Sequence, residues 1–187
     1  MIQFNQVSIA TTRLLLRPLQ QADAPAVFAL RSNPKVSRFT GYVAWADLTK
    51  AQELIARDQA AMECGEYLRL GMVPRGQDEL IGTVTLFHLD EQCRRAEIGY
   101  DLHPAMWGKA YMNEALLALL ELGFNEMMLN RIEADVDPHN TASINTLQRL
   151  GFLQEGLMRE RWIVDGVKSD TAFFGLLHAD WMKSRTI

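Results

Sequence analysis

The sequence predicts a mixed α/β or α+β fold, and three features predict it. Tyr67 to Val73 and Leu80 to Leu89 are strand-like and flank a polar turn at Arg75 to Asp78, which reads as a hairpin. From Ala96 to Phe124 (AEIGYDLHPAMWGKAYMNEALLALLELGF) an apolar strand passes through a short turn into a long amphipathic helix. A second strand–helix unit and a closing hairpin follow, and that order argues for one sheet flanked by helices. With 187 residues, 48% apolar and 22% charged, the chain is expected to form a single domain over residues 1–187. Such a domain buries on the order of 70% of its unfolded surface.

Each element has a local reason. Arg13 to Arg17 (RLLLR) reads as a strand stopped by Pro18. Gln21 to Leu30 is a short helix broken by Asn33-Pro34, and Val36 to Ala46 is irregular. Asp47 caps a helix that runs to Glu63 and ends at Gly65, with Leu48, Ala51, Leu54, Ile55 and Met62 along one side. After the first hairpin and a polar turn at Glu91 to Arg94, a strand covers Arg95 to Leu102. The helix from about Gly108 to Phe124 turns Met112, Ala115, Leu116, Leu119, Leu120 and Gly123 inward. Arg131 to Val136 is a strand, and Asn140 to Leu150 a helix ending at Gly151. Phe152 to Val164 and Val167 to Leu177 form a hairpin through Asp165-Gly166.

Composition narrows the function. The net charge is −4 with no dominant basic run, so nucleic acid is not an expected partner. Cys64 and Cys93 do not form a CxxC pair and read as free thiols in a reducing compartment. The N-terminus lacks the pattern of a signal peptide, and no apolar run approaches ~20 residues. A soluble, cytoplasmic protein without membrane contact is the expectation. His88, His103, His139 and His178 show no metal-ligand spacing, so no metal is expected.

The turn Trp107-Gly108-Lys109-Ala110 carries the chemistry. No Ser, Thr, Asp or Asn caps the helix that follows, so its first N–H groups have no side-chain partner. Open amides, a glycine and a lysine at a helix start make an anion site. The stretch WGKAYMNEA resembles the acyl-CoA pyrophosphate loop of the GNAT superfamily of N-acetyltransferases, in the RimJ/RimL ribosomal-protein branch that often reads WGKGYMTEA. Three further segments resemble the same branch in order, and together they cover nearly the whole chain: TTRLLLRPLQQADAPAVFAL, DPHNTASINTLQRLGFLQEGLMRERWIVDG and GVKSDTAFFGLLHADW. The departure is Ala110 for glycine. Alanine is small enough for close approach of a pyrophosphate but disfavours positive φ.

The resemblance implies a mixed, mostly antiparallel GNAT-like sheet in which two neighbouring strands splay to admit the pantetheine arm. It implies acetyl-CoA as co-substrate, contacted at Leu102, Trp107, Gly108, Lys109, Ala110, Tyr111, Met112, Asn140 and Ser143. Asn140 touches the pantetheine and Ser143 lies near the thioester sulfur in that family. Asn140 is equally a good N-cap. Leu147 stands where many members place a tyrosine, and leucine cannot protonate a thiolate. Glu97 resembles the general base of related enzymes, and a carboxylate can take the proton that an amine must lose. The alternative is a structural carboxylate paired with Arg94, Arg95 or Arg69. His103 is either a ligand contact or a turn histidine. Aromatics within Val36 to Trp45, together with Trp162, either line an acceptor pocket or pack beneath a loop.

The expected reaction is direct acetyl transfer to a primary amine in a ternary complex, since neither cysteine is placed as a nucleophile. A protein N-terminal α-amine, ribosomal by resemblance, is the first acceptor. A small amine (polyamine, amino acid or aminoglycoside) is the second, and a non-catalytic acyl-CoA-binding module is the rival from another class. A homodimer is left open.

Overall fold

Alternating burial sets the two faces of the sheet. In the computed structural model, which describes residues 2–185, Ile132, Ala134 and Val136 are buried while Arg131, Glu133 and Asp135 turn to the other face. The strands are β1 (Ile9–Ala10), β2 (Leu14–Arg17), β3 (Leu68–Pro74), β4 (Gly82–Asp90), β5 (Arg95–Leu102), β6 (Arg131–Val136), β7 (Leu153–Val164) and β8 (Val167–Leu177). They form one eight-stranded sheet in the order β1-β2-β3-β4-β5-β6-β8-β7. Every neighbouring pair is antiparallel except β5 and β6.

Helices cover both faces. They are α1 (Ala24–Arg31), α2 (Pro34–Ser37), α3 (Thr49–Glu63), α4 (Tyr111–Glu121), α5 (Thr141–Arg149) and α6 (His178–Arg185). Met112, Ala115, Leu116, Leu119 and Leu120 of α4 join the main core with Leu70, Met72, Leu86 and Ile98 from the strands. Val27 of α1 and Ala51, Leu54 and Ile55 of α3 build a second core around Val73, which points opposite to Met72. Asp47 accepts a hydrogen bond from the Thr49 amide at 2.8 Å just ahead of α3, whose N-cap is Leu48 rather than the expected Asp47. No helix among the described residues is long and apolar enough to cross a membrane.

Several boundaries differ from expectation. The helix expected from Gly108 begins at Tyr111, because Gly108 and Ala110 both take positive φ, 72° and 61°. Its last turn, Leu122–Glu126, widens to a π-helix. Pro34 breaks one helix and starts another, with Asn33 capping it. Strand β1 and helix α6 were not expected. Helix α6 has no apolar stripe, and it is held by buried Trp181, which packs against Phe124.

The feature that matters for the site is where β5 leaves β6. They pair only over residues 95–97 against residues 131–133, and beyond Glu97 and Glu133 they part. This is the splay that the family resemblance implies.

Candidate active site

The loop before α4 has the geometry that suits an anion. Ala110 occupies the N-cap in left-handed conformation and no side chain caps the helix, so the first amides of α4 are open. Trp107 Nε1 donates to the Leu102 carbonyl at 2.8 Å, which ties the loop to the end of β5. Arg13, just ahead of β2, braces it: Nη1 donates to the Lys109 carbonyl at 2.9 Å, Nε meets Glu114 at 2.6 Å, and the guanidinium lies 4.5 Å from the Tyr111 ring centre. Lys109 has no carboxylate partner among the described residues; its Nζ lies 3.8 Å from Met106 Sδ. Met112 is buried in the core, so only its amide can face a ligand. His103 accepts from the Ala105 amide, as a turn histidine does.

The start of α5 sits beside the splay. Asn140 Oδ1 accepts from the Ser143 amide at 3.2 Å, so it caps the helix, and that bond leaves its amide NH2 uncommitted. Ser143 Oγ lies 2.7 Å from the Tyr100 hydroxyl. Burial pushes the Tyr100 phenol up to about 12, so it stays neutral and can donate. Leu147, at the place expected for a tyrosine, is fully buried. The tyrosine near Ser143 comes instead from β5, and no sequence spacing links residues 100 and 143.

On the opposite face of β5 and β6 lies a cavity of about 520 Å³. Glu97 lines it, half-buried. Its partner is none of the three expected arginines. Arg95 turns to Glu133 at 2.9 Å, Arg69 holds the buried Asp58 at 2.8 Å, and Arg94 forms no pair with it; Glu97 meets His88 Nδ1 at 3.0 Å. Burial raises the Glu97 carboxyl above its ordinary value, opposed by the His88 hydrogen bond and reinforced by the nearby Asp135 charge.

Two β-bulges bring partners to carboxylates of this cavity. The β4–β5 register shifts between Phe87 and Asp90, where His88 takes φ 50°. The β7–β8 register shifts between Met158 and Trp162, where Glu160 takes φ 51°. The first bulge presents His88 to Glu97, and the second presents Arg161, whose Nε lies 2.8 Å from Asp135 Oδ2. Phe39, Tyr42 and Trp162 line the cavity, whereas Trp45 packs against the second core. Arg31 meets Asp101 at 3.0 Å and lies over the Tyr42 ring at 4.5 Å. Burial, and then the Asp101 charge, pushes the Tyr42 phenol up to about 12. Cys64 and Cys93 are exposed and line neither this cavity nor the splay.

The charge of the cavity follows from these pairs. Arg31 cancels Asp101 and Arg161 cancels Asp135. Glu97, Asp137 and Asp170 remain, with imidazole or backbone partners. The one lining guanidinium without a carboxylate partner among the described residues is Arg38. The cavity is therefore anionic.

A family model described as the acetyltransferase (GNAT) domain matches residues 13–153. Over 174 residues the chain is 35% identical to the uncharacterized N-acetyltransferase p20 of Bacillus licheniformis, covering 93% of this chain and 98% of that protein. It is 30% identical to the [ribosomal protein uS5]-alanine N-acetyltransferase of Escherichia coli strain K12, over 65% of this chain and 63% of that one. A spermidine N-acetyltransferase from Vibrio cholerae, solved with CoA and spermine, superposes with a TM-score of 0.81 over 92% of this chain and 99% of that one at 20% identity.

Proposed function

Because the chain belongs to the GNAT acetyltransferase family and is an acetyl-CoA-dependent N-acetyltransferase, we propose that its acceptor is a cationic primary amine, and specifically a peptide N-terminal α-amine. The observation that carries this reading is the anionic cavity on the Glu97 side of the splay. Arg31 and Arg38 line the same cavity. A peptide offers them carbonyl oxygens, while a polyamine offers only more positive charge. The relative that acts on a ribosomal protein alanine points the same way.

The residues present fit acetyl-CoA. The open amides of α4 and Lys109 suit a pyrophosphate. The parted strands leave backbone edges for an amide-bearing arm, and the uncommitted Asn140 amide lies at its margin. When bound there, acetyl-CoA supplies the activated acetyl group. Glu97, directly or through water, takes a proton from the ammonium. The freed nitrogen lone pair then forms the amide bond as the carbon–sulfur bond breaks. The departing sulfur takes the electron pair, steadied by a hydrogen bond from Ser143, and the second proton that the nitrogen loses passes to it, directly or through water, to give the CoA thiol. Tyr100, donating to Ser143 Oγ, leaves the serine proton free for that task. A thiolate is a good enough leaving group that no stronger acid is required.

Ser143→Ala is expected to lower turnover by about 10–100-fold, the worth of a hydrogen bond to a charged group, and to do so even at high pH. Tyr100→Phe should cost less, about 2–10-fold for a neutral bond. The double variant should be no worse than Ser143→Ala alone. Additive losses, read from thiol release, would separate the two residues.

The acceptor is tested by thiol release over a panel of alanine- and serine-starting peptides, spermidine, free amino acids and an aminoglycoside. Peptides should give the highest kcat/KM. Turnover with spermidine alone would replace the peptide reading with the small-amine one. Acetyl-CoA binding by titration with no turnover on any amine would reduce the chain to a binding module.

A further inference from the structure

Among the described residues, two buried side-chain polar atoms lack a hydrogen-bond partner: Asp135 Oδ1 and Arg31 Nε. Both residues line the acceptor cavity. Asp135 is only 6% exposed, so its orphan oxygen is shielded from bulk water. A buried acceptor without a donor costs on the order of 1–3 kcal/mol, more when it is charged. Such a group in a cavity marks the place where a ligand supplies the donor.

Strand geometry puts Asp135 near Glu97. Glu97 and Glu133 are register partners across the short parallel pairing. Asp135 lies two residues further along β6, on the same face as Glu133. Its other oxygen is already fixed by Arg161 from the β7 bulge through one N–H rather than a fork. That single contact orients the carboxylate and leaves Oδ1 free.

Resting on the proposed amine acceptor, we infer that Asp135 Oδ1 holds the ammonium of the acceptor and that recognition of its charge lies there rather than at Glu97. An ammonium has three donors, so it can meet Asp135 and still present a proton to the Glu97 oxygen that His88 does not occupy. Arg161 engages Oδ2 alone from an exposed position, 43% accessible, where solvent weakens the pair, so the ammonium can add its charge at Oδ1. Arg31 Nε, the orphan donor in the same cavity, requires an oxygen elsewhere on the acceptor. An α-aminoacyl group carries both an ammonium and a carbonyl, and a polyamine does not.

The test compares alanyl-alanine amide with its propionyl twin, which lacks the ammonium, by calorimetry on the full chain saturated with CoA. Wild type should bind the ammonium form about 10–100-fold more tightly. In Asp135→Asn this preference should fall below about 3-fold, with acetyl-CoA affinity unchanged, while Glu97→Gln should keep it. Asp135→Asn/Arg161→Gln preserves charge balance and carries the test if the single variant, with Arg161 left unpaired, does not fold. A preference that survives in the folded Asp135 variants overturns the assignment. A merely structural Asp135 would weaken both ligands alike, which also overturns it. If wild type ignores the peptide but Asp135→Asn raises the KM for spermidine without a matching fall in kcat, the peptide reading fails and the role of Asp135 stands.

Discussion

Replacing Glu97 by glutamine lowers amine acetylation by about 10²–10⁴-fold, the usual contribution of a positioned base, and leaves acetyl-CoA affinity unchanged. Glutamine keeps the size and the contact with His88 but cannot accept a proton. The pH dependence is the sharper readout. Burial raises the Glu97 carboxyl, so the acid limb of wild-type kcat/KM should lie above the ordinary glutamate value: activity rises as pH climbs through that point and Glu97 ionises. In Glu97→Gln this limb should vanish. The deficit should shrink as pH rises past ~8, where a peptide α-amine deprotonates unaided. A deficit that stays flat with pH would assign Glu97 a structural role.

Ala110→Pro should raise the Kd for acetyl-CoA by at least about 10-fold. Proline fixes φ near −65°, whereas Ala110 sits at 61°, and the substitution also removes one amide from the helix start. Thermal unfolding separates loss of the site from loss of the fold. Ala110→Gly is the opposite experiment. Left-handed backbone costs an alanine roughly 1–2 kcal/mol, part of which glycine returns as unfolded-chain entropy. A gain of about 1 kcal/mol, or about 2–4 °C in Tm, is expected with acetyl-CoA affinity retained. A loss of stability would mean that the Ala110 methyl group makes a favourable contact.

What the sequence could reveal was local. The period of two in Ile132, Ala134 and Val136 and the helical spacing of Met112, Ala115, Leu116 and Leu119 announce their elements. The run WGKAYM announces the loop, because its chemistry depends on adjacent residues. The partners of the site residues were hidden because they depend on register. His88 reaches Glu97, and Arg161 reaches Asp135, only because each sits in a bulge that breaks the alternation. Tyr100 meets Ser143 across a parting of strands that no periodicity encodes. Arg13 grips a loop 96 positions away. The acidic lining of the cavity was illegible for the same reason: Glu97 on β5, the Asp135 and Asp137 pair at the end of β6 and Asp170 on β8 become neighbours only in the fold.

The parting of β5 from β6 also changes what kind of sheet this is. An open sheet has two edges, here β1 and β7. This one has two more in its interior, where residues 98–102 and 134–136 turn unpaired backbone toward each other. Outer edges are normally guarded against strangers by charge, bulges or shortness. Inner edges are guarded by position, since another chain cannot reach them but a narrow ligand can. Backbone that is paired on one side only then lies at the centre of the sheet as well as at its rim. A ligand that fills the gap stabilises the fold, by an amount that rises with the logarithm of its free concentration once that exceeds Kd.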